Sequence, residues 1–128
     1  MVRVYIFLPA RNEAQHLPSF FESLFNQTLK PSKVLLINDG STDETEEVAK
    51  SYGVEVINLP YHPESYVEVP ELNWKLATVL NHAFPVPKGF EYMMQISPDI
   101  ILPKNYIESL IDKMEKDPKL VIASGQIE

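Results

Sequence analysis

The sequence contains no cysteine among its 128 residues. Disulfide bonds and thiolate metal sites are therefore excluded, and this criterion leaves the redox compartment open. Basic residues are also scarce, since 11 lysines and arginines stand against 18 aspartates and glutamates, for a formal net charge of −7. A nucleic-acid partner is disfavoured, because neutralising its phosphates takes clustered lysine and arginine. An acidic chain that binds a phosphate ligand would need a cation beside it.

Long hydrophobic runs and targeting signals are missing as well. No apolar stretch approaches the roughly 20 residues that span a bilayer, and residues 1–4 do not have a secretory pattern. His16, His62 and His82 do not have the spacing of metal ligands, so we interpret them as surface or packing residues. With a hydrophobic content of 45%, these features predict one soluble, cytoplasmic, globular domain over residues 1–128.

A predicted buried strand that ends in acidic residues is the most informative stretch. Residues 34–43 read Val-Leu-Leu-Ile-Asn-Asp-Gly-Ser-Thr-Asp. Four consecutive apolar residues predict a parallel strand that is covered on both faces, and Gly40 allows the tight turn that follows. The strand would deliver Asp39 to the edge of a sheet, and Ser41 with Glu44 has the spacing of a capping box. An Asp39 that only closes the turn is the alternative.

Predicted strands alternate with predicted helices along the chain. The strands cover residues 2–8, 34–37, 54–59, 92–96 and 120–123, and the helices cover residues 17–25, 42–52, 72–83 and 103–114. This alternation predicts an α/β domain with a mainly parallel, doubly wound sheet and helices on both faces. Ligands bind outside the carboxyl ends of the strands in such sheets. Polar residues follow three of these strands, so we expect Asp39 and Asp99 on one rim.

Five motifs together resemble the family 2 glycosyltransferases of GT-A fold. They are Pro-Ala-Arg-Asn-Glu at residues 9–13, residues 23–28, residues 37–43, residues 75–81, and residues 100–103 with Tyr106-Ile107. The resemblance covers essentially the whole chain, in order and with ordinary spacing. It implies a Rossmann-like, GT-A nucleotide-binding half that takes a nucleotide-diphosphate sugar, often a UDP-sugar. It also implies an inverting transfer to an acceptor hydroxyl, with Mn²⁺ or Mg²⁺ as cofactor.

The resemblance also assigns roles to residues that would bind the nucleotide. Pro9, Ala10, Arg11 and Glu13 belong to the loop that would line the base and the ribose. Asp39 would accept a hydrogen bond from the imide N3–H of uracil. A carboxylate suits that donor, whereas cytosine would present a bare ring nitrogen at the same place.

Further nucleotide contacts and the metal ligand follow later in the chain. Lys75 matches a basic position where an ammonium group would pair with a phosphate, and a solvated surface lysine is the alternative. Asp99 matches the final aspartate of the Asp-x-Asp motif of the family, which would bind Mg²⁺ or Mn²⁺ across the diphosphate. Ser97 stands at the first aspartate of that motif, which removes one negative charge from the site.

No catalytic residue is assigned. The resemblance puts the general base, a carboxylate that deprotonates the acceptor hydroxyl, in an acceptor-binding half beyond residue 128. We therefore expect these residues to hold the donor and to transfer little or nothing alone. The sugar and the acceptor, a glycan or a lipid, are not specified by the sequence. Two alternatives stay open, a non-catalytic nucleotide-binding or regulatory module of the same fold and an interaction domain without a ligand.

Overall fold

Strands and helices alternate through the structure. The computed structural model describes residues 2–63, 78–117 and 119. In chain order the elements are β1 (Val4–Ala10), α1 (Leu17–Phe25), β2 (Lys33–Asp39), α2 (Thr45–Ser51), β3 (Glu55–Leu59), a short 3₁₀ helix (Asn81–Ala83), β4 (Tyr92–Gln95) and α3 (Tyr106–Lys116). The predicted strand at residues 120–123 and half of the predicted helix at residues 72–83, namely residues 72–77, lie outside the described residues. Within the described part, no helix is both long and apolar enough to cross a bilayer.

The strands form one parallel sheet in the order β3-β2-β1-β4. β1 lies in the middle and pairs in parallel with β2 on one side and with β4 on the other. The chain therefore runs outward from β1 to β2 and β3, and then crosses back to the far side of β1. This reversal of strand order at β1 confirms the doubly wound α/β prediction, and it is the place where such sheets bind ligands.

Both faces of the sheet are buried, as the continuous apolar runs of β1 and β2 predict. One face packs against the three helices α1, α2 and α3, with Phe20, Ala49 and Ile107 among the buried residues. The other face is covered by the segment from Val79 to Phe90. On that face the Tyr5 hydroxyl donates to the Ala83 carbonyl at 3.2 Å. Burial, and then the charge of Glu55, raises the pKa of the Tyr5 phenol above its ordinary value.

The predicted capping box at the start of α2 is wrong. The helix begins at Thr45, and Glu44 at the N-cap position makes no side-chain capping bond. Asp43 accepts hydrogen bonds from the backbone N–H of Thr45 at 3.0 Å and from its hydroxyl. The Ser41 hydroxyl instead donates to the side-chain oxygen of Asn38. Short hydroxyl side chains bond readily to groups outside a helix, and the Ser41 hydroxyl accordingly bonds to Asn38 instead of capping α2.

Candidate functional site at the carboxyl edge of the sheet

Polar segments follow β1, β2 and β4 at the same edge of the sheet. Ala10 of β1 lies opposite Asn38 of β2, and Phe7 of β1 lies opposite Gln95 of β4. Because both pairs are parallel, the residues that follow each strand leave the sheet at its carboxyl edge. Asp39 and Asp99 therefore lie at one edge, with β1 between their strands.

Asp39 is the only buried carboxylate in the part of the chain that the structure describes, with 4% of its surface exposed. A buried charge is costly unless it is paired and hydrogen-bonded. Oδ2 of Asp39 lies 3.0 Å from Nε2 of His62, and Nη1 of Arg11 lies 2.6 Å from Nδ1 of the same ring. Nη2 of Arg11 also donates to the His62 carbonyl. These three residues, the Asp39 cluster, join the loops that follow β1 and β3 to the last residue of β2.

The Arg11 guanidinium lies against the His62 ring, with Nη1 2.6 Å from Nδ1 and 2.8 Å from Nε2. Nε2 therefore lies within hydrogen-bond distance of both the guanidinium and the Asp39 carboxylate. The positive guanidinium and the negative carboxylate both contact this one ring. Tyr61 lies next to this pair, with the guanidinium carbon of Arg11 6.0 Å from the centre of its ring. Its ring is largely exposed, so the edge also offers an aromatic surface.

Gly40 allows the loop after β3 to pass close to the turn after β2. Its φ angle is +65°, and a Cβ atom on it would lie 2.7 Å from both the Pro60 carbonyl oxygen and the Tyr61 Cα. Glycine alone adopts this backbone conformation freely and leaves room for the crossing chain. The predicted tight turn at Gly40 is confirmed, and the close approach is a second reason for glycine there.

The loops after β1 and β2 are tied together by hydrogen bonds from backbone to side chain. Three consecutive N–H groups donate to the segment from the end of β2 to the start of α2. Those of Asn12, Glu13 and Ala14 donate to Ser41 Oγ at 2.9 Å, Thr45 Oγ1 at 3.0 Å and Asp43 Oδ2 at 3.1 Å, respectively. In return, Oδ1 of Asn12 accepts from the backbone N–H of Thr42 at 2.8 Å. Asn12 has a φ of 55°, a conformation in which asparagine is enriched. The backbone that follows β1 is thereby held in one shape.

A ladder of amide side chains supports the end of β2. Asn38 is 7% exposed, and its Nδ2 donates to Oδ1 of Asn58 on β3 at 2.9 Å. Nδ2 of Asn58 donates in turn to the Glu46 carboxylate on α2. The hydrogen bond from Asn58, and then that from Lys50, lowers the pKa of the Glu46 carboxyl. This ladder ties the residue before Asp39 to the neighbouring strand and helix.

The other residues predicted for the loop after β1 have separate surroundings. Pro9 is half-buried and Ala10 is buried, and they are the last two residues of β1. Oε2 of Glu13 lies 2.8 Å from Nδ1 of His16, and both side chains are partly exposed. Arg11 is the residue of this loop that is linked to Asp39, through the His62 ring.

Ser97 and Asp99 point into solvent from an alternating segment after β4. Ile96 and Pro98 are buried, whereas Ser97 and Asp99 are exposed. Within residues 2–63 and 78–117, no three histidine, aspartate or glutamate side chains are grouped to hold a metal ion. A lone exposed carboxylate nevertheless fits Mg²⁺ or Mn²⁺, because such ions often take one or two protein carboxylates and complete their shell with phosphate oxygens. Lys75 lies outside the described residues.

The family model described as glycosyl transferase family 2 matches residues 5–127. The chain belongs to this family. Among curated proteins, this family 2 chain is similar to the 4,4'-diaponeurosporenoate glycosyltransferase of Staphylococcus aureus, with 44% identity over 54 residues. That match covers 42% of this chain and 14% of the relative.

Solved glycosyltransferase structures have the same fold. The chain superposes on Staphylococcus aureus TarS in complex with UDP with a TM-score of 0.70 at 16% identity, over 90% of this chain and 32% of TarS. It also matches glucosyl-3-phosphoglycerate synthase from Mycobacterium tuberculosis, solved with Mn²⁺, UDP and glucosyl-3-phosphoglycerate, with a TM-score of 0.58 at 20% identity. That match covers 88% of this chain and 39% of the synthase. The chain thus spans well under half the length of each relative.

Proposed function

We propose that this chain is the donor-binding domain of a metal-dependent, inverting glycosyltransferase that uses a UDP-sugar. The buried Asp39 carboxylate at the carboxyl edge of the sheet carries this proposal. Its oxygens only accept hydrogen bonds, and the N3–H of uracil is a donor of matching polarity. The UDP complexes of TarS and of glucosyl-3-phosphoglycerate synthase support uracil as the base.

The loops around Asp39 would receive the base and ribose. Pro9 and Ala10 end β1 beside it, and the tied backbone of residues 12–14 needs little rearrangement to act as one wall. A wall that is ordered before binding lowers the entropic cost of association. Lys75 is the proposed phosphate partner. The general base is proposed to belong to the acceptor-binding half of a longer protein.

The metal end of the proposed site is Asp99, with Ser97 where a second carboxylate would stand. When bound, a divalent cation, Mg²⁺ or Mn²⁺, would neutralise the charge that develops on the diphosphate leaving group. The Asp99 carboxylate would hold that ion on its exposed side. Without an intervening cation, the same carboxylate would repel the diphosphate of the donor. We therefore expect UDP affinity to depend on the metal.

Calorimetry of the chain with UDP, in the presence and absence of Mn²⁺, tests this function. We expect UDP to bind, and Mn²⁺ to strengthen binding by about tenfold or more, which is about 1.4 kcal/mol. GDP and CDP serve as matched ligands with the same diphosphate and a different base. A chain that gives no heat with any of the three nucleotides, with Mn²⁺ or Mg²⁺, would disprove the proposal.

A non-catalytic nucleotide-binding module is the second candidate, because Ser97 reduces the charge available to a metal. It predicts that UDP binds equally well without a divalent ion. The substitution Asp99→Asn would then leave the dissociation constant unchanged. In the donor-binding domain of an active enzyme, the same substitution is expected to remove the effect of Mn²⁺.

His62→Ala is expected to tighten UDP binding about three- to tenfold, since a competing hydrogen bond of about 1 kcal/mol is removed. The imidazole bonds to Oδ2 of Asp39, so it occupies part of the carboxylate that is proposed to accept from the uracil N3–H. His82→Ala is the matched control, because His82 is exposed and bonds to backbone carbonyls of residues 78 and 79. Titration of both variants with UDP measures the effect. Weaker binding by the His62 variant would mean that the imidazole supports the base instead of competing with it.

A further inference from the structure

Two of the family motifs contact each other, although they are about 80 residues apart. Residues 23–28 form the end of α1 and the turn after it, and residues 100–107 lead from Asp99 into α3. Their contacts involve buried polar groups, which must be paired to be tolerated. The proposed contacts with the base and the metal do not explain why the polar groups of these two motifs are paired with each other.

The segment that carries Asp99 is anchored at both of its ends. On the β4 side, the N–H of Ile96 donates to the Phe7 carbonyl at 3.3 Å, and Ile96 is 5% exposed. On the α3 side, Leu102 is 4% exposed, and its N–H donates to Oγ of Ser23 at 3.0 Å. The Ser23 hydroxyl donates its own proton to the Phe20 carbonyl at 2.8 Å. Asp99 is exposed between these two anchors.

Gln27 makes the other side-chain hydrogen bonds between the end of α1 and the segment that leads into α3. It is 2% exposed, and its Nε2 donates to the Pro103 carbonyl at 2.6 Å and to the Ser23 carbonyl at 3.2 Å. Its Oε1 accepts from the N–H of Ile107 at 3.0 Å. Every polar atom of the amide therefore has a partner. The backbone adds one more bond across the same contact, from the N–H of Thr28 to the Lys104 carbonyl at 2.9 Å.

Gln27 also performs the capping that α3 cannot provide for itself. Asn105 stands at the N-cap of α3 but makes no side-chain capping bond. The N–H of Ile107 is one of the N-terminal groups that have no partner inside the helix. The Gln27 amide oxygen satisfies this group from α1, so the start of α3 is fixed relative to α1.

We propose that Ser23 and Gln27 are positioning residues for Asp99, which fix the backbone that carries this carboxylate to the metal. This inference rests on the proposed function of Asp99. Groups outside the ligand shell that hold a ligand in place typically change metal affinity when they are replaced. The pairing also gives a physical reason for the two motifs to occur together.

The test compares Ser23→Ala and Gln27→Met with the wild type by UDP calorimetry over a series of Mn²⁺ concentrations. Both variants are expected to bind UDP normally without metal, because Asp39 is not touched. Their apparent Mn²⁺ affinity is expected to fall about tenfold. Ser23→Thr keeps the hydroxyl and is expected to restore the wild-type Mn²⁺ dependence. Ser19→Ala, on the exposed side of the same helix, is the control.

Amide hydrogen exchange provides a second readout. Ser23→Ala should speed exchange at Leu102 while residues 34–37 of β2 stay protected, which also shows that the variant is folded. A normal Mn²⁺ dependence in the folded Ser23 and Gln27 variants would overturn the inference and leave the proposed function intact. Equal loss of UDP binding with and without Mn²⁺ would overturn it too, since that indicates a general structural role. If the wild type binds UDP without any Mn²⁺ effect, or does not bind UDP, the inference falls together with the proposed role of Asp99.

Discussion

Asp39→Asn should remove the preference of this chain for UDP over CDP. A carboxylate accepts from the N3–H of uracil, and it repels the lone pair on N3 of cytosine. An asparagine amide can either accept or donate at that position, so it can pair with both bases. A charge-assisted hydrogen bond contributes about 1.5–3 kcal/mol, so we expect the ratio of CDP to UDP dissociation constants to fall by one to two orders of magnitude.

Competition calorimetry with UDP and CDP measures that ratio directly. Asp112→Asn is the control, because Asp112 is an exposed residue of α3 that pairs with Lys116. It removes the same charge from the chain and should leave both affinities unchanged. A tenfold or larger UDP preference that survives in the Asp39 variant would show that another group reads the base.

Gly40→Ala should lower the free energy of unfolding by about 2–5 kcal/mol and prevent UDP binding. A left-handed conformation costs an alanine about 1–2 kcal/mol, and forcing extra atoms into a packed site costs about 1–3 kcal/mol more. The second cost arises because the new Cβ would lie 2.7 Å from the backbone of Pro60 and Tyr61. Because Gly40 directly follows Asp39, displacing this turn would also move the carboxylate that is proposed to bind the base.

Gly53→Ala separates the two costs. Gly53 has a φ of +76°, and a Cβ atom on it would meet nothing within 4 Å. The variant should therefore lose only the conformational part, about 1–2 kcal/mol, and should keep UDP binding. Urea unfolding monitored by circular dichroism gives both values. Equal destabilisation by the two substitutions would mean that the loop after β3 moves away from Gly40 at little cost.

Much of the fold was predictable from residue patterns. Unbroken apolar runs identified the central strands, because a strand that is covered on both faces needs no alternation of apolar and polar residues. The strand boundaries were less exact. β2 extends to Asp39, beyond the predicted end at residue 37, since Asn38 and Asp39 continue the register opposite Asn58 and Leu59 of β3. Polar residues carry no hydrophobic signal, although their backbones pair equally well.

The residues of the candidate site were predictable only where a local sequence pattern marked them. Asp39 and Gly40 stand out because an apolar strand stops at them. The contact of His62 with Asp39 depends on two loops that meet where Gly40 leaves room, and no spacing in the sequence reports that meeting. The cap that Gln27 places on α3 spans 80 residues. A tertiary partner took the place of a local capping residue there, and a motif resemblance identifies the residues without identifying the contact.

The central position of β1 has a consequence for the order in which the domain assembles. Tyr5 pairs with Lys33, which is 28 residues further along the chain, and with Met93, which is 88 residues further along. Closing the longer loop costs about 1 kcal/mol more chain entropy than closing the shorter one. The β1–α1–β2 unit is therefore favoured to form first, and β4 docks afterwards. During synthesis, the part of the domain with Asp39 would be in place before the ribosome has finished the residues that follow β4.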